Sequence, residues 1–220
     1  FYMVVTVWIF GYLVHALTDN LDVIANPDYF SEFINSNSVF VYLVVVAAVV
    51  YAILVMGVRN GIELAARIMM PALFIMLLIM VVFVLTLDNA FAGVKFYLVP
   101  DFSAINGTVI SGALSQAFFS LSLGMGILIT YGSYLQKHND LIGSAKFVAI
   151  ADSLVAFTAG LMILPAIFAL EPNTNPSDLS DSSVAMIFTF LPKIFMELQT
   201  SVGYFGASAV ASIFFLLVFF

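Results

Sequence analysis

The chain has no cysteine, two histidines, one tryptophan and few charges in 220 residues. Without cysteine there is no disulfide, no thiolate metal site and no thiol nucleophile. The histidines, His15 and His138, stand in no HExxH, and no GxSxG occurs, so zinc-protease and hydrolase signatures are absent. Both histidines lie near the ends of apolar runs and are read as solvated, without a role. Charged residues make up 9% of the chain and hydrophobic residues 63%, whereas a soluble domain carries about 25% charged residues. The net charge of −7 is no sign of an acidic partner, since the acids fall mostly in loops on one side, and no nucleic-acid partner is expected. What the chain does have is long apolar runs without barrel-type alternation. It reads as an all-α integral membrane protein.

Taken in order, residues 1–17 form the later part of a span, and 18–38 a polar loop with Asp19, Asp22, Asp28 and Glu32. Residues 39–58 and 68–87 are spans, joined by a tight turn at Arg59, Asn60 and Gly61. Residues 88–106 read as a loop with Pro100, and 109–135 as a broken helix. Residues 136–140 make a short polar loop and 145–170 a span containing Asp152. A long segment, 171–202, follows with its own amphipathic piece, and 204–220 begins a last span. About six transmembrane segments result. Arg59, Arg67, Lys137 and Lys146 flank the two short turns, and only Lys95 and Lys193 fall in the other loops. Short loops rich in Lys and Arg lie in the cytoplasm, so the acidic loops are outside. Both ends fall inside apolar runs, without an initial Met, so the chain reads as an internal piece of a longer protein.

The stretch at 116–134, QAFFSLSLGMGILITYGSY, is helix at both ends and not in the middle. Gly124 and Gly126 together cost roughly 2 kcal/mol of helix propensity. In hydrocarbon, broken backbone survives only against protein or a polar cavity. Ser115, Ser120 and Ser122 precede the break and offer hydroxyls to such a cavity. A discontinuous helix of this kind is how many secondary transporters build a midplane site. Close helix packing at the glycines is the other reading. Asp152, in FVAIADSLVAFTAGL, lies well inside an apolar span. A charge there costs at least about 2.5–3.5 kcal/mol and needs protonation, an arginine or a bound cation.

The run QAFFSLSLGMGILITYGSYL strongly resembles the unwound sixth transmembrane helix of the neurotransmitter:sodium symporter family, the LeuT-fold transporters. VWIFGYLVHAL resembles the family's third helix, and GLMILPAIFA with the outer segment after it resembles the seventh helix and the lid-like fourth extracellular loop. The resemblance covers nearly the whole chain. It implies a single domain over 1–220, part of an inverted-repeat bundle from the end of helix three to the start of helix eight. Residues 171–203 would be the extracellular lid.

For the site, the resemblance implies that Ser120 and Asp152 ligate sodium; family members usually have Asn at the latter position. Tyr2 and Val5 would line the substrate, with the Tyr2 hydroxyl on its carboxylate; from the residues alone, Tyr2 is equally an interfacial or packing aromatic. Phe119 would close over the substrate, and Ser120, Ser122 and Met125 would line it. Gly61 and Pro71 match the family's inner unwinding segment, Gln116 belongs with the gating residues, and Tyr134 matches an inner-gate residue. Chloride-dependent relatives have Ser where this chain has Ala156, so Asp152 stands in for the anion. The expected protein is a chloride-independent, sodium-coupled symporter of hydrophobic or neutral amino acids in the bilayer of a plasma membrane, bacterial by its short outer loops. The alternatives are a receptor or sensor on the same fold, or a symporter of another small amine-type solute. An intramembrane enzyme is disfavoured, because an aspartyl protease needs two deep carboxylates and only Asp152 is deep.

Overall fold

The computed structural model describes residues 2–55, 64–135, 140–172 and 183–219. Apolar runs become helices because hydrocarbon leaves the backbone no other partner than itself. The main ones are α1 (Tyr2–Leu17), α4 (Ser38–Val55), α5 (Leu64–Leu85), α9 (Leu141–Leu170) and α10 (Ser183–Phe219). Among the described residues, four helices are long and apolar enough to cross a membrane: 38–55, 66–85, 141–170 and 187–219. The tight turn around Gly61 lies outside the described residues, as does the polar loop at 136–139.

The loop at 18–38 contains two short helices, α2 (Leu21–Ile24) and α3 (Tyr29–Ile34). Both are too short to hold by themselves; their apolar residues Leu21, Ile24, Phe30 and Phe33 are buried against the bundle. Phe33 lies on Gly11, where an added Cβ would come within 2.9 Å of the ring. His15 is not solvated as the sequence suggests. It is half-buried, its Nδ1 lies 2.9 Å from the Gly11 carbonyl, and the Tyr29 ring meets it edge-on.

The core lies between α1, α5, α9 and α10. Tyr12, Met80, Met162, Ile194, Phe195 and Phe215 are fully buried in it. Tyr12 packs against Phe188 and Phe215 at centroid separations of 5.1 and 5.7 Å. In α4, by contrast, only Val46 is buried, and Phe40, Val44, Tyr51 and Val55 point outward. A helix apolar on every face suits lipid, not water.

Two departures from the sequence reading bear on the site. Residues 90–98, read as loop, form α6 (Ala90–Leu98), and it packs against α9. The amphipathic piece and the last span are one helix, α10, kinked at Gly203, whose φ of 75° and ψ of 165° only glycine adopts readily. Next to the kink, the Tyr204 hydroxyl donates to the Asp19 carbonyl and accepts the Leu21 N–H, at 2.5 and 3.1 Å. Ser208 adds a bond to the Ala16 carbonyl at 2.7 Å. Together they tie α10 to the C-terminal end of α1.

Candidate functional site

The broken helix is two helices, α7 (Gly107–Ser120) and α8 (Ile127–Ser133). The Asn106 side chain caps α7 by accepting the Val109 N–H at 3.0 Å. The helix ends before the glycines. Leu123 N–H bonds back to the Phe118 carbonyl at 2.8 Å and Ser122 N–H to the Phe119 carbonyl at 3.1 Å. This pair of bonds is a Schellman terminus, whose left-handed position usually holds glycine. Here Ser122 occupies it, with φ of 55°, in a region that costs a residue with a Cβ about 1–2 kcal/mol. Gly124 and Gly126 follow with φ of 79° and 78°. The strained serine was not legible in the sequence, because nothing in its side chain demands a positive φ. The glycines were.

Ser120 is the last residue of α7, and Asp152 lies mid-way along α9. The Ser120 hydroxyl donates toward both carboxylate oxygens, 2.8 Å from each. One proton is shared between two acceptors, and the lone pairs of Oγ stay available to a further partner. Two oxygens of a carboxylate and one of a hydroxyl form a hard donor set that suits a hard cation. Asp152 is half-buried, less enclosed than its place in an apolar run suggests. Among the described residues no three His, Cys, Asp or Glu side chains converge, so a metal would find no cluster of nitrogen and carboxylate ligands there.

The Tyr2 ring stacks on Phe119, centroids 5.5 Å apart and planes 14° from parallel. Phe119 directly precedes Ser120, so the stack and the carboxylate flank one end of α7. Val5 is half-buried and packed on the core. Trp8 packs against the core too, edge-on to Phe30 and Phe188 at 5.3 and 5.9 Å. Ser122 and Met125 lie in the break, Met125 exposed. Gln116 is exposed on α7, and Tyr134 is the exposed C-cap residue of α8. Pro71 lies inside α5, where it has no N–H to give the Arg67 carbonyl. Gly61 falls outside the described residues. The structure thus brings Tyr2, Phe119, Ser120 and Asp152 together beside a helix break.

The model of the sodium:neurotransmitter symporter family matches residues 29–220. An uncharacterized sodium-dependent transporter of Haemophilus influenzae is 35% identical, over 97% of this chain and 48% of that protein. The uncharacterized sodium-dependent transporter YhdH of Bacillus subtilis is 34% identical, over 97% and 47%. The crystal structure of MhsT in complex with L-phenylalanine superposes with a TM-score of 0.73 and 36% identity, over 98% of this chain and 50% of that one. The chain therefore spans about half the length of these relatives. Long apolar helices, a helix broken at a carboxylate–hydroxyl pair, and these likenesses agree: this multi-pass membrane chain belongs to the sodium:neurotransmitter symporter family, a family of transporters and not of enzymes.

Proposed function

We propose that the protein is a chloride-independent, sodium-coupled symporter of hydrophobic or neutral amino acids, working by alternating access in the plasma membrane, bacterial by its relatives. The observation that carries this reading is the Ser120–Asp152 contact at the end of a broken helix, with the Tyr2–Phe119 stack beside it. A sodium ion held by Asp152 and Ser120 would order the end of α7 and the break after it. Substrate bound there would then meet a prepared pocket. By linkage, sodium raises substrate affinity and substrate raises sodium affinity by the same factor. The bound phenylalanine of MhsT supports an aromatic or large apolar substrate. Residues 171–203 serve as the outer lid in this reading, Tyr2 and Phe119 as the substrate's aromatic wall, and Gln116 and Tyr134 as gate residues. The test is uptake of labelled phenylalanine by vesicles holding the intact protein, with and without an inward sodium gradient. Uptake that ignores the gradient ends the reading, and sodium-dependent binding without flux would favour a sensor.

Two expected results follow from residues of this site. Met125 is unbranched and adaptable, so the pocket accepts several large apolar amino acids. Met125→Phe narrows the range and weakens the bulkiest, tryptophan, by about tenfold, since overpacking costs about 1–3 kcal/mol. Competition binding with Ala, Leu, Tyr and Trp measures it, and a wild type that takes only alanine contradicts it. Pro71 leaves the helical ladder of α5 incomplete on the inner side. Pro71→Ala restores the bond and slows the return from the inward-facing state severalfold, with little change in substrate affinity from outside. Exchange and net-uptake rates separate the two steps, and equal losses in affinity and turnover would instead report misfolding.

A further inference from the structure

We infer that α6 is a bracket that sets the separation of Ser120 and Asp152, with Gly93, Tyr97 and Gly160 as its positioning residues. The inference builds on the reading of that pair as a cation site. α6 is joined to α7 by residues 99–106, a short link stiffened by its own side chains. Asp101 Oδ1 accepts the Ser103 N–H and hydroxyl at 2.9 and 2.6 Å, and Asn106 caps α7. The position of α7, and with it Ser120, is therefore coupled to that of α6.

Asp152 instead rides on α9, and α6 is locked to α9 by a reciprocal pair of glycine contacts. A Cβ at Gly93 would lie 2.5 Å from Pro165 Cα and 2.8 Å from the Leu164 carbonyl. Four residues along α6, Tyr97 lies over Gly160, where an added Cβ would fall on its hydroxyl and 2.5 Å from its Cζ. The Tyr97 ring also packs on Phe157 at 5.6 Å, its hydroxyl donates to the Phe157 carbonyl at 3.4 Å, and Phe96 meets Phe168 at 5.4 Å. These contacts start five residues beyond Asp152, about 8 Å along the helix. The buried residues of α9 start at the same place: Thr158 is the first, and none precedes it. α7 has no buried residue of its own. Within this chain, then, the covalent link to α6 helps place the hydroxyl, beside the Tyr2–Phe119 stack, and packing on α6 helps place the carboxylate, with α5 and α10 also against α9. Pro165, which has no N–H for the Leu161 carbonyl, makes α9 bendable at the braced point.

The two glycines differ in what a methyl group would meet. At Gly93 it meets backbone, and Gly93→Ala risks misfolding. At Gly160 it meets the end of a tyrosine that can swing away, so Gly160→Ala is the informative variant. In the intact protein it is expected to raise the sodium concentration for half-maximal uptake roughly tenfold, as loss of an outer-shell support does at metal sites. Maximal uptake per molecule stays near the wild-type value. Tyr97→Ala alone gives a smaller rise, and Gly160→Ala with Tyr97→Ala is no worse than Tyr97→Ala alone, because the obstructed ring is gone. Normal sodium dependence in Gly160→Ala, with only abundance or maximal rate reduced, overturns the bracket, as does a double variant whose effects multiply. A second measurement does not depend on sodium. This chain contributes no cysteine, so spin labels on cysteines placed at the exposed Ala113 and Ala145 report the α7–α9 separation. Gly160→Ala should shift that distance distribution, and an unchanged one sinks the inference. If Ser120→Ala leaves sodium dependence untouched, the cation reading fails, and the bracket stands or falls on the labels alone.

Discussion

Asp152→Ala and Ser120→Ala each raise the sodium concentration needed for uptake in the intact protein, the carboxylate by roughly a hundredfold and the hydroxyl by roughly tenfold. The difference in size follows from charge. A carboxylate compensates a cation directly where little water competes, while a hydroxyl contributes only a dipole. The contact between the two side chains sharpens the expectation. Ser120 lies 2.8 Å from both carboxylate oxygens, so a cation touching one is within reach of the other. Removing either also leaves its partner without the hydrogen bond it now has, which makes the effects non-additive: the double variant should cost less than the product of the two. Sodium titration of substrate binding in detergent measures all three variants without the complication of flux. Unchanged sodium dependence in both single variants removes the assignment.

The second large effect concerns chloride. Sodium and a zwitterion carried into a site of low dielectric leave excess positive charge near Ser120, and a nearby anion relieves it. In the proposed symporter, Asp152 would supply that anion covalently. Ala156, one turn further along α9, offers no hydroxyl to a mobile one. An ionised Asp152 would also repel chloride. Uptake by the wild type is therefore expected to be the same in chloride and in gluconate. Asp152→Asn should lose most of its activity in either medium. Adding Ala156→Ser to that variant should restore part of the activity, and only in chloride, because residues four apart share a helix face and the new hydroxyl can help hold the ion. A strong chloride requirement in the wild type would sink this account. A double variant rescued equally in gluconate would show that the serine acts through packing and not through an anion.

Much of the architecture was legible because its causes are local. Runs of about twenty apolar residues leave the backbone only helix in hydrocarbon, and α4, α5 and α9 lie where those runs lie. Gly124 and Gly126 marked the break because their missing Cβ atoms make the left-handed region accessible, and both adopt it. A carboxylate in an apolar span announced that Asp152 has a polar partner, whatever that partner is. The family resemblance singled out Ser120 for that place, but a bond between residues 32 apart in sequence is a product of how α7 and α9 are set together.

Packing alone decided the rest. α6 looked like loop because nine residues cannot sustain a helix by propensity, and it exists where Gly93 and Gly160 let it come close to α9. The same holds for α2 and α3, which are helices because Leu21, Ile24, Phe30 and Phe33 have a core to enter. Ser122 was drawn into the left-handed region by the hydrogen bonds that end α7, a demand its own side chain does not signal. The tie of Tyr204 to the Asp19 carbonyl joins residues 185 apart. Sequence determined where this chain must be helical and where it cannot be, since both follow from the solvation of its own backbone. Which side chains meet across those helices was decided only by the tertiary structure, because a contact between distant residues depends on every element that packs between them.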